Sequence, residues 1–280
     1  MATRATRLNE KNLRLAIDTA RIMCVDGGVG LGKSVAVRNN LRYLAPDDTL
    51  YFDLPRPFLA PREAERQVAE ALGLPEGTPN TDAYIRAALQ DRQRVLVFDE
   101  AQNLHSLFLE YLRNLWADTT NRTTIVLVGT GIRRRLHRLH AFFSRVNPWQ
   151  PFSPLLPDEI LTVMPHLHAV WAPLSHEDLL WVNESACHGN FRMWAASTDV
   201  LTRALEEEKQ RGNPDPQFTR ELFTRAVQGL TARPPEALPV YRLPEPQAAG
   251  AGPEPLSPPA ETRGDTAPGD DTPPPASSEN

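Results

Sequence analysis

No stretch of this 280-residue chain approaches the roughly 18 consecutive apolar residues of a membrane-spanning helix, and its arginine-bearing start is not followed by the apolar core of a secretion signal. A soluble, cytoplasmic protein with no membrane partner is expected. Cysteine is scarce. Cys24 and Cys187 lie far apart and fall in no metal-ligand spacing, so two reduced thiols are expected rather than a disulfide framework or a zinc site. His166 and His168 have no third ligand at a sensible spacing. Positive charge is not in excess either. Residues 1–231 hold 27 basic and 27 acidic groups, and the net charge of −5 belongs to the remaining tail. Bulk attraction to nucleic acid is thereby excluded, and any such site must be a local patch. Internal repeats are absent, as is a clustered acidic triad of the kind that cuts or joins nucleic acid.

The chain does contain short apolar runs alternating with helical patterns. Residues 21–26 read as a buried strand, followed by a helix carrying Val35, Val37, Leu41 and Leu44. Residues 49–54 read as a second strand. Pro61 opens a helix that Gly73 closes, and another helix runs over about 81–90. Val95–Phe98 is apolar on consecutive positions, as in a strand covered on both faces, and Thr124–Val128 reads as a further buried strand. Between them Leu104, Phe108, Leu112 and Leu115 lie on one helical stripe. This alternation predicts an α/β fold with a parallel sheet and helices on both faces. From about Pro154 the strands stop, and segments 157–169, 175–187, 190–209 and 216–229 read as helices in which Trp171, Trp181 and Trp194 are core. The expected organisation is a short helical segment (1–20), an α/β nucleotide-binding domain (21–153), a helical lid (154–231) and a disordered tail (232–280). That tail carries 13 of the 27 prolines and few apolar side chains.

The chemistry is concentrated in two strings. Gly27-Gly28-Val29-Gly30-Leu31-Gly32-Lys33-Ser34 fits the pattern G-x-x-x-x-G-K-[ST] between a strand and a helix. Such a loop turns its backbone N–H groups toward phosphates, aided by the positive end of the next helix. The expected phosphate-binding set runs from Gly27 to Val35, with Lys33 on the β- and γ-phosphates and the Ser34 hydroxyl on Mg²⁺. The second string ends the 95–98 strand with Asp99 and Glu100. Asp99 stands where a carboxylate holds Mg²⁺ through water, and Glu100 is suited to act as general base for an attacking water. A nucleoside triphosphate and magnesium are therefore expected. The absence of an N-K-x-D string argues against a small GTPase. Thr130, at the next strand tip, is a candidate for the γ-phosphate or the water. Arg145 is a candidate for a neighbouring subunit's γ-phosphate, and Arg192 for the nucleotide from the helical side.

These residues, in this order, resemble the AAA+ ATPases over about residues 20–230. Within that superfamily, Asp99-Glu100-Ala101-Gln102, the Val-Leu-Val-Gly-Thr string ending at Thr130, and Ser144-Arg145-Val146 look most like the transposition ATPases of the TniB and Mu B type. The secretion ATPases of the ExeA type share the first two strings. The resemblance implies ATP as nucleotide, Arg145 as an arginine finger acting in trans, Arg192 as a second sensor, and assembly into a ring or helical filament on duplex DNA that recruits or activates a transposase. It also implies loops facing the DNA channel, here Arg56, Arg62, Thr78 and Thr81, which suit phosphate contacts. The cluster Arg133, Arg134, Arg135, His137, Arg138 and His140 reads as a solvated helix face or a subunit contact. The chain departs from the pattern in two ways: Thr130 replaces the commoner asparagine, and some 20 residues precede the first strand, so no separate N-terminal DNA-binding domain is expected. The tail reads as a solvated end or as a tether for a partner. An ExeA-type secretion or remodelling ATPase and a nucleotide switch with little hydrolysis are the alternative readings.

Overall fold

The computed structural model describes residues 3–54, 60–77, 79–119 and 122–228. Residues 4–152 fold as α1 (Arg4–Asp18), β1 (Ile22–Gly27), α2 (Lys33–Leu44), β2 (Thr49–Asp53), α3 (Pro61–Ala71), α4 (Thr81–Asp91), β3 (Arg94–Asp99), α5 (Ser106–Asp118), β4 (Thr123–Gly129), α6 (Ile132–His137), α7 (His140–Phe143) and β5 (Val146–Phe152). The five strands form one parallel sheet in the order β2-β3-β4-β1-β5.

The two-residue period of the strands explains the layering. Ile22 and Cys24, Leu96 and Phe98, and Ile125 and Leu127 face a core shared with α3 to α7. Their neighbours Met23 and Val25, Val95 and Val97, and Val126 and Val128 face α1 and α2. A strand covered on both sides reads as a near-continuous apolar run, and β4 is buried throughout, its opening Thr123 and Thr124 included, with the Thr124 hydroxyl donating to Ala16 O. The expected parallel sheet with helices on both faces is what the chain forms.

Sequence patterning missed β5. This strand contains Pro148 and Pro151 and reads as an irregular crossing. It lies at the sheet edge and pairs with β1 alone, where a proline can leave its missing N–H on the open side, and its burial alternates from Val146 to Phe152.

The remaining helices are α8 (Pro157–Leu167), α9 (His176–Val182), α10 (Phe191–Gln210) and α11 (Arg220–Val227). They share a separate apolar core in which Trp171, Trp194 and Phe223 are buried with edge-to-face ring contacts. A single π-turn over Asn183–Cys187 joins α9 to the approach to α10. The proline-rich tail lies outside the described residues. Among those described, no helix is long and apolar enough to cross a membrane.

Candidate nucleotide site

The strand register brings the ends of β1, β3 and β4 to one edge of the sheet, with Asp26 beside Gly129 and Phe98 beside Leu127. Ligands of open parallel sheets bind at this carboxyl edge, where successive connections leave in opposite directions. The loop after β1 turns sharply there, with Gly30 and Gly32 at φ of +78° and +84°, values a side chain resists. Among the described residues, the backbone N–H groups from Val29 to Ser34 make no well-aligned hydrogen bond to a protein acceptor, the tight turn over Val29–Gly30 turning the Leu31 N–H only loosely toward Gly28 O. Such a row of donors at the start of α2 fits a phosphate chain.

Lys33 lies beneath this row, only 8% exposed. Its Nζ donates to Gly27 O (3.0 Å), Gly28 O (2.7 Å) and Thr130 Oγ1 (3.3 Å). Burial pulls its pKa below the usual lysine value, against the opposing pull of Glu100, Asp26 and Asp99. Val35, by contrast, turns its side chain to solvent, and Val29 is half exposed. Any contribution of these two comes through the backbone.

Asp99 is buried at the tip of β3. Its Oδ1 accepts from Ser34 Oγ (3.0 Å) and from the Glu100 N–H (3.0 Å), and its Oδ2 accepts from the Tyr51 hydroxyl (2.5 Å). The Ser34 and Asp99 oxygens form the pair of hard donors that a magnesium ion takes. Tyr51 had no signal in the sequence, where it reads as one more residue of β2. Burial chiefly, and Asp99 secondarily, raise its pKa, so the phenol remains a hydrogen-bond donor. The Arg38 guanidinium stacks 4.1 Å over its ring and reaches Asp53 at 3.3 Å.

Glu100 follows in a left-handed conformation (φ +53°) that turns it out of the strand line, and it is exposed. Gln102 Nε2 donates to Glu100 Oε2, while Gln102 Oε1 accepts from the Thr130 N–H at 3.0 Å. One amide therefore ties the proposed base to the tip of β4, whose Thr130 hydroxyl meets Lys33. Gly129 permits this approach, since a Cβ there would stand 2.4 Å from Gln102 Oε1. Arg135 donates to the carbonyls of Gln102 and Leu104 and so braces the same turn. It is the member of the basic cluster that points inward; Arg133, Arg134 and Arg138 are exposed, with Arg133 5.4 Å from the Trp149 ring.

Arg145 is not part of this constellation. It precedes Val146 at the opposite end of β5, roughly 20 Å from the loop for a seven-residue strand. It is exposed and makes no side-chain hydrogen bond or ion pair to a described residue. Arg192 stands close enough to Lys33 to lower its pKa, and the Arg192 N–H donates to Gly30 O at 3.2 Å. Asn190 donates from Nδ2 to Val29 O at 2.8 Å. Of the DNA-contact expectations, Arg56 and Thr78 lie outside the described residues. Arg62 is exposed in the first turn of α3, and Thr81 opens α4. His166 and His168 engage local backbone groups, Thr162 O and the Val170 N–H.

Residues 16–136 match the AAA domain family AAA_22. No curated protein matches the chain in sequence. Solved structures are similar in fold. The Orc1 protein of Aeropyrum pernix in complex with DNA superposes with a TM-score of 0.56 at 15% identity, over 80% of this chain and 65% of that one. Cdc6p from Pyrobaculum aerophilum gives 0.57 at 17% identity over 81% and 68%, and the RuvB Holliday junction branch migration motor of Thermotoga maritima gives 0.55 at 14% over 81% and 68%. This chain thus spans about two thirds of the length of those structures. It carries the P-loop fold of the AAA+ ATPases.

Proposed function

We propose that this protein is a magnesium-dependent ATPase that assembles on duplex DNA in its ATP state and recruits or activates a transposase at the target. The observation that carries the ATPase reading is the convergence of the loop N–H row, Lys33, the Ser34–Asp99 pair and the Glu100–Gln102–Thr130 bridge at one edge of the sheet. The loop N–H groups and Lys33 bind the phosphates. Ser34 and Asp99 hold the magnesium ion, which supplies charge neutralisation at the phosphate oxygens when bound. Glu100 takes the proton of the attacking water, and Gln102 fixes where its carboxylate points. Arg192 covers the nucleotide from the helical side.

Arg145 is too far from its own loop to act there, and an exposed guanidinium with no partner among the described residues is suited to a neighbouring subunit's γ-phosphate. A ring or filament in which each site is completed by the next copy follows. Duplex DNA is supported by the likeness in fold to a DNA-bound Orc1 and to the RuvB motor, and by Arg62 and Thr81 at adjacent helix starts; the transposase rests on the resemblance of the motif strings. ATP hydrolysis by the wild type, Lys33→Ala and Glu100→Gln, with and without duplex DNA, tests the reading. Turnover that DNA stimulates and both variants abolish is expected. Nucleotide binding without turnover in the wild type would instead make the protein a switch.

A further inference from the structure

The phosphate-binding loop is gripped from outside by the start of α10. Asn190 Nδ2 donates to Val29 O at 2.8 Å, and the Arg192 N–H, shared with Asn190 Oδ1 at 3.0 Å, donates to Gly30 O at 3.2 Å. Asn190 is itself 7% exposed. It lies so close to the loop that a Cβ on Gly30 would stand 2.3 Å from its Oδ1. A trans peptide is planar, with its C=O and N–H pointing in opposite directions. Holding the carbonyl of Val29 outward therefore turns the N–H of Gly30 inward, and holding that of Gly30 does the same for Leu31. These are two of the donors in the row that faces the phosphates.

We propose that Asn190 is a positioning residue that shapes the phosphate loop before nucleotide arrives, by anchoring the outer carbonyl of the Val29–Gly30 peptide. The proposal rests on the nucleotide-binding reading above and adds the group that sets the loop's affinity. Asn190 can do this because it is itself fixed. The π-turn over Asn183–Cys187 precedes it, the Gly189 N–H donates to Asn183 Oδ1 at 2.6 Å, and the Asn190 N–H donates to Cys187 O at 2.9 Å. Its Oδ1 caps α10 through the N–H groups of Arg192 and Met193. One side chain thus starts the helix with its oxygen and holds the loop with its nitrogen.

The two duties separate by substitution. Asn190→Ser keeps an oxygen for the cap, and Asn190→Gly is a residue that helix starts tolerate; both lose the donor to Val29 O. Binding of a fluorescent ADP and the steady-state constants for ATP are measured beside the thermal midpoint of the nucleotide-free protein. The expected result is an ADP Kd about tenfold weaker in both variants, as for one lost hydrogen bond of a preorganised loop. KM for ATP rises alongside, kcat falls by less than threefold, and the midpoint shifts by only a degree or two. An ADP Kd within twofold of wild type in either folded variant overturns the proposal, as does a loss of affinity that merely tracks a lowered midpoint. Failure of the parent reading is distinguishable, because the wild-type protein itself would then bind no ADP.

Discussion

Replacing Gln102 by alanine removes two hydrogen bonds and no part of the phosphate loop. The Nε2 bond to Glu100 is made to a carboxylate, and bonds to charged groups contribute about 1.5–3 kcal/mol. The Oε1 bond from the Thr130 N–H ties the same turn to β4. Released from the amide, an exposed Glu100 samples several rotamers and spends less time aimed at water. A loss near 2 kcal/mol in the hydrolytic step corresponds to about a thirtyfold fall in kcat. Lys33 and the N–H row are untouched, so ADP affinity is expected to stay within twofold. Phosphate release at saturating ATP, measured beside fluorescent-ADP binding, reads both quantities. A kcat within threefold of wild type would refute the bridging role, and an equal loss of ADP affinity would show that Gln102 supports the loop rather than the base.

Mixing Arg145→Ala with Glu100→Gln is expected to restore part of the ATPase activity that each lacks alone. A mixed assembly regenerates sites with one copy's Glu100 and another's Arg145, and an equimolar titration of the two variants measures it. Asn9 is fully buried in α1, and neither of its amide atoms is hydrogen-bonded to a described residue. Asn9→Ala is expected to stabilise the fold by about 1 kcal/mol, read as a raised urea midpoint. Both cysteines are buried, and burial pushes the Cys24 thiol up and that of Cys187 to about 12. At pH 8 both stay protonated in the native state, so a chromogenic disulfide reagent should titrate two thiols only after denaturant is added.

The parts that sequence displayed are those whose chemistry is written locally. Gly30, Gly32, Lys33 and Ser34 must lie within a few residues of one another to make the loop, and the run from Val95 to Phe98 is apolar because β3 is covered on both faces. The parts that stayed hidden depend on register or on long-range approach. Tyr51 reaches Asp99 across paired strands, from a position that strand patterning treats as filler. Asn190 meets Val29 across 161 residues of chain, although its place before Phe191 and Arg192 does mark it as a helix cap. Gln102 sits in a string that draws attention to its carboxylates, and only the fold brings it to Thr130. The edge strand β5 was obscured by Pro148 and Pro151, which local propensity counts against a strand and an open edge tolerates.

Electron microscopy of the protein on duplex DNA, with and without a non-hydrolysable ATP analogue, tests the central claim most directly. Rings or filaments on DNA that require the analogue, and that Arg145→Ala weakens, are the predicted result. Nucleotide-dependent assemblies that form equally well without DNA would contradict the DNA-directed account and point to a protein-remodelling ATPase.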